Sequence, residues 1–355
     1  MSFHPRAPQL TILGTSPPTI SHGHQALQDG TIAATVGGII AGGFGVEAAK
    51  SFVTTDEGGR WYFVAATLIG IAVISLGTLL RQHTGRRTRV AIVITAPDAA
   101  RGLTGAAQLD QQAERYAQRT CTVALKTAIP TTDGQRPTRP LIEALADETL
   151  SAITLAERLT PDATQFHLIP TMPLHAGFWF GTRLGSAHAR DIRIHQTLRG
   201  NGTNTHFDAI SLRTSTTATR TPLTIEQLHH FTAGEPTHAA LALDLENRGA
   251  TFDSDVNTIC VQQRISIVLT LRNSTHQLNN NPETFEAAVA QISHAWRNAG
   301  LTPTARSGRH TIFLSGALSI AIALGARLAA AEHGRWQAFT FNRDTATYEQ
   351  LPTWP

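Results

Sequence analysis

The residues of this chain best suited to chemistry cluster where predicted strands end. Six short segments carry them: Thr95-Ala-Pro97, Pro170-Thr171-Met172-Pro173, Asp244-Leu-Glu246-Asn247, Arg272-Asn273, Ser315-Gly316 and Asn342-Arg343. Hydroxyls, amides, carboxylates and guanidinium groups in such turns suit recognition of a polar, phosphate-bearing molecule. Arginine's planar fork matches phosphate oxygens. Lysine occurs only at Lys50 and Lys126, so nearly all positive charge here is arginine. Two of the segments open a helix, whose free N–H groups and partial positive charge favour an anion. Pro173 suits a first helical position, and Gly316 lets a ligand come close to the backbone. Each turn alone is ordinary α/β loop chemistry; a set lining one groove carries more weight.

A catalytic set does not emerge. No Gly-x-x-x-x-Gly-Lys-Ser/Thr, His-Glu-x-x-His or Gly-x-Ser-x-Gly occurs. The 16 histidines are scattered, and the adjacent pair His229-His230 lacks further ligands at metal spacing. His175 and His310 are expected to hydrogen-bond within the fold. Asp244 and Glu246 face opposite sides if their strand continues, so they form no obvious acid/base couple. Cys121 and Cys260 lie far apart and read as small buried residues, neither a disulfide framework nor a metal pattern. The expectation is a protein that binds and does not catalyse, with no cofactor and no metal.

Composition sets the scale. The chain has 355 residues, 41% hydrophobic and 15% charged, enough to bury a large core and unlike a disordered chain. A net charge of +3 is too weak to argue for nucleic acid, so DNA is not an expected partner.

The elements that must position the turns follow from periodicity. Val90-Ala-Ile-Val-Ile94 is a continuous apolar run, as a buried parallel strand is. Cys121–Ala128, Ala239–Leu245, Ile265–Leu271, Thr311–Leu314 and Trp336–Phe341 also read as strands. Leu141–Leu159 reads as a helix. So does Glu283–Asn298, where Phe285, Val289, Ile292 and Trp296 share a face. An internal repeat orders these pieces. The stretch from His167 to Leu184 resembles that from His310 to Leu328: each runs from His through a strand, a turn and an apolar helix to Gly-x-Arg-Leu. Two Rossmann-like halves result, about 90–220 and 236–355, joined near Thr221 to Glu235. In such sheets ligands lie beyond the carboxyl ends of the strands, where the six segments fall.

The N-terminal region has another character. Trp61 to Leu80 is uncharged over the length that crosses a bilayer core, with aromatic residues at one end and Arg81, Arg86, Arg87 and Arg89 beyond the other. Gly30 to Val46 reads as a shorter span, followed by Glu47 and Lys50. Ala34, Gly38 and Gly42 recur at four-residue spacing, as do Ala41 and Gly45, a pattern that lets helix backbones approach in lipid. The expected organisation is a leader over 1–29, loosely ordered and cytoplasmic, then a transmembrane hairpin over 30–80. The arginines after the second span place the C-terminal domain in the cytoplasm.

The segment from His310 to Leu351 resembles the C-terminal part of a SAVED domain. His310-Thr-Ile-Phe-Leu, Ser315-Gly316-Ala-Leu-Ser319 running on to Gly325-Ala-Arg327-Leu, and Trp336-Gln-Ala-Phe-Thr-Phe-Asn342-Arg343-Asp344 with Tyr348 carry the likeness. Small and apolar positions make up its motifs. It extends over roughly 90–355, with a weaker match in the first half, whose leading helix is Gly-, Gln- and Ala-rich and where 129–140 is a Pro/Thr loop. SAVED domains are two fused CARF-like halves, so the resemblance implies an α/β fold: two N-terminal transmembrane helices, then a SAVED domain. Family members bind cyclic oligonucleotides and are fused to effectors, transmembrane segments among them. The two-span arrangement looks like the membrane effectors of CBASS anti-phage systems. The resemblance implies a multi-pass protein of the bacterial inner membrane that self-associates on ligand and disrupts the bilayer. Arg272 and Arg343 would pair with ligand phosphates, assisted by backbone N–H groups near Ser315 and Thr171. Thr95, Asp244 and Asn273 would read base or ribose edges. The rival expectations are a membrane-tethered phosphodiesterase and a membrane-anchored scaffold for protein partners.

Overall fold

Apolar runs bounded by turn residues make parallel strands here, and amphipathic runs between them make the covering helices. The computed structural model describes residues 7–15, 68–69, 71–72, 89–98, 102–130, 137–199, 204–213, 221–226, 228–275, 278–342, 345 and 347–352. The chain divides into two units, Met1–Thr15 with Val90–Pro355, and Ser16–Arg89. Of the second unit, Leu68, Ile69, Ile71 and Ala72 are helical and exposed. The spans expected over 30–46 and 61–80 otherwise lie outside the described residues. Among the described residues, no helix is long and apolar enough to cross a membrane.

The first unit holds a mixed α/β fold with two sheets. The elements of the first sheet and its helices are β1 (Gln9–Thr15), β2 (Arg89–Thr95), α1 (Gly102–Thr120), β3 (Val123–Ala128), α2 (Arg139–Leu159), β4 (Gln165–Thr171), α3 (Leu174–Leu184), β5 (Asp191–Arg199) and β6 (Asn204–Ser211). The strand order is β1-β3-β2-β4-β5-β6. β2–β3 and β4–β5 pair in parallel, while β1 and β6 are antiparallel edges. The second group is β7 (Leu223–Ile225), β8 (His229–His230), β9 (Glu235–Asp244), α4 (Ala250–Gln262), β10 (Ile265–Asn273), α5 (Pro282–Asn298), α6 (Pro303–Ser307), β11 (Arg309–Ser315), α7 (Leu318–Leu324), β12 (Trp336–Asn342) and β13 (Thr347–Gln350). Its order is β13-β12-β11-β9-β10-β7, with β8 also on β10. Strand for strand this is the arrangement of the first sheet: parallel centre, antiparallel final strand, and an antiparallel strand laid beside the second parallel one.

Two expectations need correcting. The leader, loosely ordered by its composition, contributes β1, because β3 would otherwise present unpaired backbone groups at the sheet edge. The stretch taken as a joint between the halves holds β7 and β8, which do the same for β10. β7 and β8 are too short to show an apolar period, and β1 carries only Leu10, Ile12 and Leu13 within a polar leader. The predicted helix over Leu141–Leu159 begins at Arg139, since Pro140 fits a first turn.

The halves meet through the repeated Gly-x-Arg-Leu helices. A Cβ on Gly181 would lie 2.0 Å from the Ile322 carbonyl oxygen, and one on Gly325 would lie 2.1 Å from that of Phe178. Each glycine thus receives the carbonyl three residues before its counterpart, as a local two-fold relation requires. Trp336 packs on Phe178 with ring centres 5.6 Å apart, and one apolar cluster runs through both halves.

Candidate ligand-binding groove

Parallel strands end together, and the turns that follow them are left to face solvent or a ligand. Here residues at or beyond the carboxyl ends of β2, β4, β9, β11 and β12, with His195–Leu198 from within β5, line a groove of about 1120 Å³. Of the predicted residues, Pro97, Thr171, Met172, Pro173, Glu246, Ser315, Gly316 and Asn342 line it. Thr95, Asp244, Asn247, Arg272 and Asn273 do not, and Arg343 lies outside the described residues.

The residues off the groove have other partners. Thr95 donates to Asp110 Oδ1 at 2.5 Å, and Asp110 is bound in turn by Lys126. Thr171 donates to Thr95 Oγ1 and to the Ile94 carbonyl, both at 3.3 Å. Asn273 is buried and ties the Leu245 carbonyl to Thr275. Asp244 is wholly buried; its two oxygens accept the backbone N–H of Arg248 at 2.8 Å and of Gly249 at 2.9 Å. That holds the turn into α4, in which Asn247 (φ 53°) and Gly249 (φ 60°) take left-handed conformations. Arg272 donates to Glu226 at 2.9 Å, Asp244 at 3.1 Å and Asp253 at 2.7 Å. Burial alone would lower its pKa, but the bonds to Asp253 and Glu226 hold it above the ordinary value.

Other residues reach the groove that no apolar pattern marks. Arg248 is the arginine that lines it among the described residues. Its guanidinium lies 3.9 Å over the Phe341 ring, with Nη2 2.8 Å from Asp255 and Nη1 3.4 Å from the Tyr348 hydroxyl. Burial raises the Tyr348 pKa, so the phenol stays neutral. Asp98, Glu246 and Glu349 bring carboxylates to the lining, and Glu349 accepts from Asn342 Nδ2 at 2.8 Å. Arg248 stands one position past the segment singled out in the sequence, so its placement depends on the fold of the turn.

From the first half, β5 presents His195, Gln196 and Thr197. Gln196 Oε1 accepts from the Ser319 backbone N–H at 3.1 Å and from its hydroxyl at 3.0 Å, joining the halves at the start of α7. The helix end predicted to attract an anion is therefore met by a side-chain carbonyl of the protein itself. His195 Nε2 and His167 Nδ1 are 2.7 Å apart, and Thr197 Oγ1 meets His206 Nδ1 at 3.2 Å. Burial pushes the His206 pKa down to about 4, so that imidazole is neutral at pH 7. Among the described residues no group of three or more His, Cys, Asp or Glu is placed to hold a metal ion.

No family model matches the chain, and no curated protein matches it. Among solved structures it is similar to the Acinetobacter baumannii Cap4 SAVED/CARF-domain containing receptor with the cyclic trinucleotide 3'3'3'-cAAA, at 12% identity and a TM-score of 0.43, over 93% of this chain and 78% of that one. The same receptor with 2'3'3'-cAAA gives 12% identity and a TM-score of 0.41, over 93% and 77%. The Moraxella osloensis Cap4 SAVED/CARF-domain containing receptor gives 11% and 0.39, over 92% and 77%.

Proposed function

We propose that this chain is a cyclic-oligonucleotide receptor, a two-span SAVED effector of anti-phage defence. The observation that carries the proposal is a groove of about 1120 Å³ lined by turns of both sheets at the carboxyl ends of their parallel strands. It is larger than the roughly 300–1,000 Å³ of drug-sized ligand sites, which suits several linked nucleotides. The half-buried Pro97 and Pro173 give bases apolar surfaces, and Arg248 offers a guanidinium to a phosphate. The ligand class comes from the sequence resemblance. Binding brings subunits together, which raises the effective concentration of the spans at 30–80 in the bilayer; packing of their small-residue faces then breaches it. The protein resides in the bacterial inner membrane with residues from 81 onward in the cytoplasm, and it leaves the ligand intact.

Three measurements test this. Full-length protein in detergent is titrated with a panel of cyclic di-, tri- and tetranucleotides; saturable binding of at least one is expected, and none across the panel would defeat the receptor function. Chromatography of recovered ligand separates binding from hydrolysis, since a phosphodiesterase would return linear product. Dye-loaded vesicles bearing the protein are expected to leak when the bound ligand is added; leakage indifferent to ligand would remove the gating.

A further inference from the structure

We infer that Arg248, and not Arg272, is the phosphate anchor of the groove, and that Arg272 acts one step behind it by fixing the loop that carries Arg248. The ligand class rests on the function proposed above; the anchor itself does not.

The two arginines differ in their company. Arg272 meets three carboxylates, those of Glu226, Asp244 and Asp253, so its surroundings are net negative and repel a further anion. Arg248 meets one, Asp255, and that pair is neutral overall. Its guanidinium is held flat over Phe341, and Nε has no partner among the described residues. A planar fork held by an aromatic face loses little freedom on meeting a phosphate. Arg248 lines the groove, and Arg272 does not.

Ser315 supplies an independent pointer. It is 6% exposed, lines the same groove, and its Oγ has no hydrogen-bond partner among the described residues. A buried hydroxyl without an acceptor is unfavourable, and a ligand oxygen would relieve it. The next residue keeps this turn against the Arg248 loop: Gly316 has φ 126°, and a Cβ there would lie 2.6 Å from Leu245 Cβ. Arg272 enters through Asp244, whose carboxylate it binds while the same carboxylate accepts the Arg248 and Gly249 backbone N–H groups. Arg272 is thus a positioning residue.

The test uses full-length protein and two probes. With inorganic pyrophosphate, the Arg248 Nε–H resonance, assigned by its loss in Arg248→Lys, is expected to move while that of Arg272 stays. A stationary Arg248 signal would overturn the anchor. With labelled 3'3'3'-cAAA, Arg248→Met is expected to weaken binding at least tenfold and to lower the slope of log affinity against log salt by about 0.7, the value for one phosphate contact on a single strand. Arg272→Lys is expected to weaken binding a few-fold at unchanged slope. A slope that falls in Arg272→Lys and holds in Arg248→Met would exchange the roles and overturn the inference. The remaining arginine resonances report that each variant is folded. If pyrophosphate moves Arg248 while no cyclic oligonucleotide binds the wild type, the anchor stands and the proposed function falls.

Discussion

The two walls of the groove come from the same arrangement of strands but use their polar groups differently. On the first wall, Thr171 is tied to Thr95, Gln196 to Ser319, Thr197 to His206 and His195 to His167. On the second, Ser315 Oγ has no partner among the described residues, and Arg248 meets a single carboxylate. A duplicated fold can divide its work: the polar residues of one wall are matched inside the protein, three of these pairs within the first half and Gln196–Ser319 across the halves, while the other wall leaves the Ser315 hydroxyl without an acceptor among the described residues. Local unmatched polarity of that kind is expected at functional sites.

The largest effect tests what the walls share. Gly181→Ala and Gly325→Ala each push a methyl group into a carbonyl of the opposing half, and neither backbone can move without separating α3 from α7. Each is expected to cost about 3 kcal/mol, the upper part of the range for overpacking, and the two should match because the contacts are reciprocal. Urea unfolding measures this. A large difference between the two variants would break the pseudo-symmetric account.

Acid should separate the walls. The His206 pKa of about 4 against an ordinary 6.5 means that, between those values, the unfolded chain holds a proton the folded chain refuses. Stability is therefore complete above pH 6.5 and declines as pH falls toward 4, with a ceiling of about 3 kcal/mol. His238 and His310 in the second half, also lowered by burial, add slopes of the same sign. His206→Gln is expected to flatten the acid limb for the β5 and β6 amides, read by hydrogen exchange at pH 7 and 4.5, while the β9 and β11 amides keep theirs. An equal change in both sheets would show one indivisible unit.

The cross-half hydrogen bond comes next. Gln196→Ala leaves the Ser319 N–H and hydroxyl without their acceptor, with Ser319 buried, at an expected cost of about 1–2 kcal/mol. Gln196→Glu keeps an acceptor there and should lose less. If both variants unfold at the wild-type urea concentration, the contact does not hold the halves.

The sequence disclosed the frame better than the site, for physical reasons. Buried parallel strands such as Val90–Ile94 must be apolar throughout, and the helix carrying Phe285, Val289, Ile292 and Trp296 must keep one apolar face, so both leave periodic marks. β1 and β7 answer to a neighbour's unpaired edge and leave none. The turns were legible as places, because every parallel strand must end at one side of its sheet. Which side chain in a turn faces the groove depends on φ and ψ. Asn247 and Gly249 in left-handed conformations wrap the backbone around Asp244, so Asp244 is interior and Arg248 reaches the groove. Arginine at 272 suggested a phosphate contact by type; in the fold it meets the carboxylates of Glu226, Asp244 and Asp253, which no local pattern announces.

Ser315→Ala is the smallest change and separates the walls most cleanly. A hydroxyl buried without a partner destabilises the fold, so its removal is expected to raise stability by about 1 kcal/mol, within the usual desolvation range of about 1–3 kcal/mol. The matched change on the first wall, Thr197→Val, removes a hydroxyl that His206 already engages and should lower stability by a similar amount. The signs are opposite because one hydroxyl has a partner inside the protein and the other has none among the described residues. Binding of whichever cyclic oligonucleotide the wild type takes from the panel should then weaken several-fold in Ser315→Ala despite its firmer fold. A more stable variant with undiminished binding would make the unmatched hydroxyl a packing defect; a less stable one would mean that Ser315 has an acceptor in the folded chain, and the contrast between the walls would close.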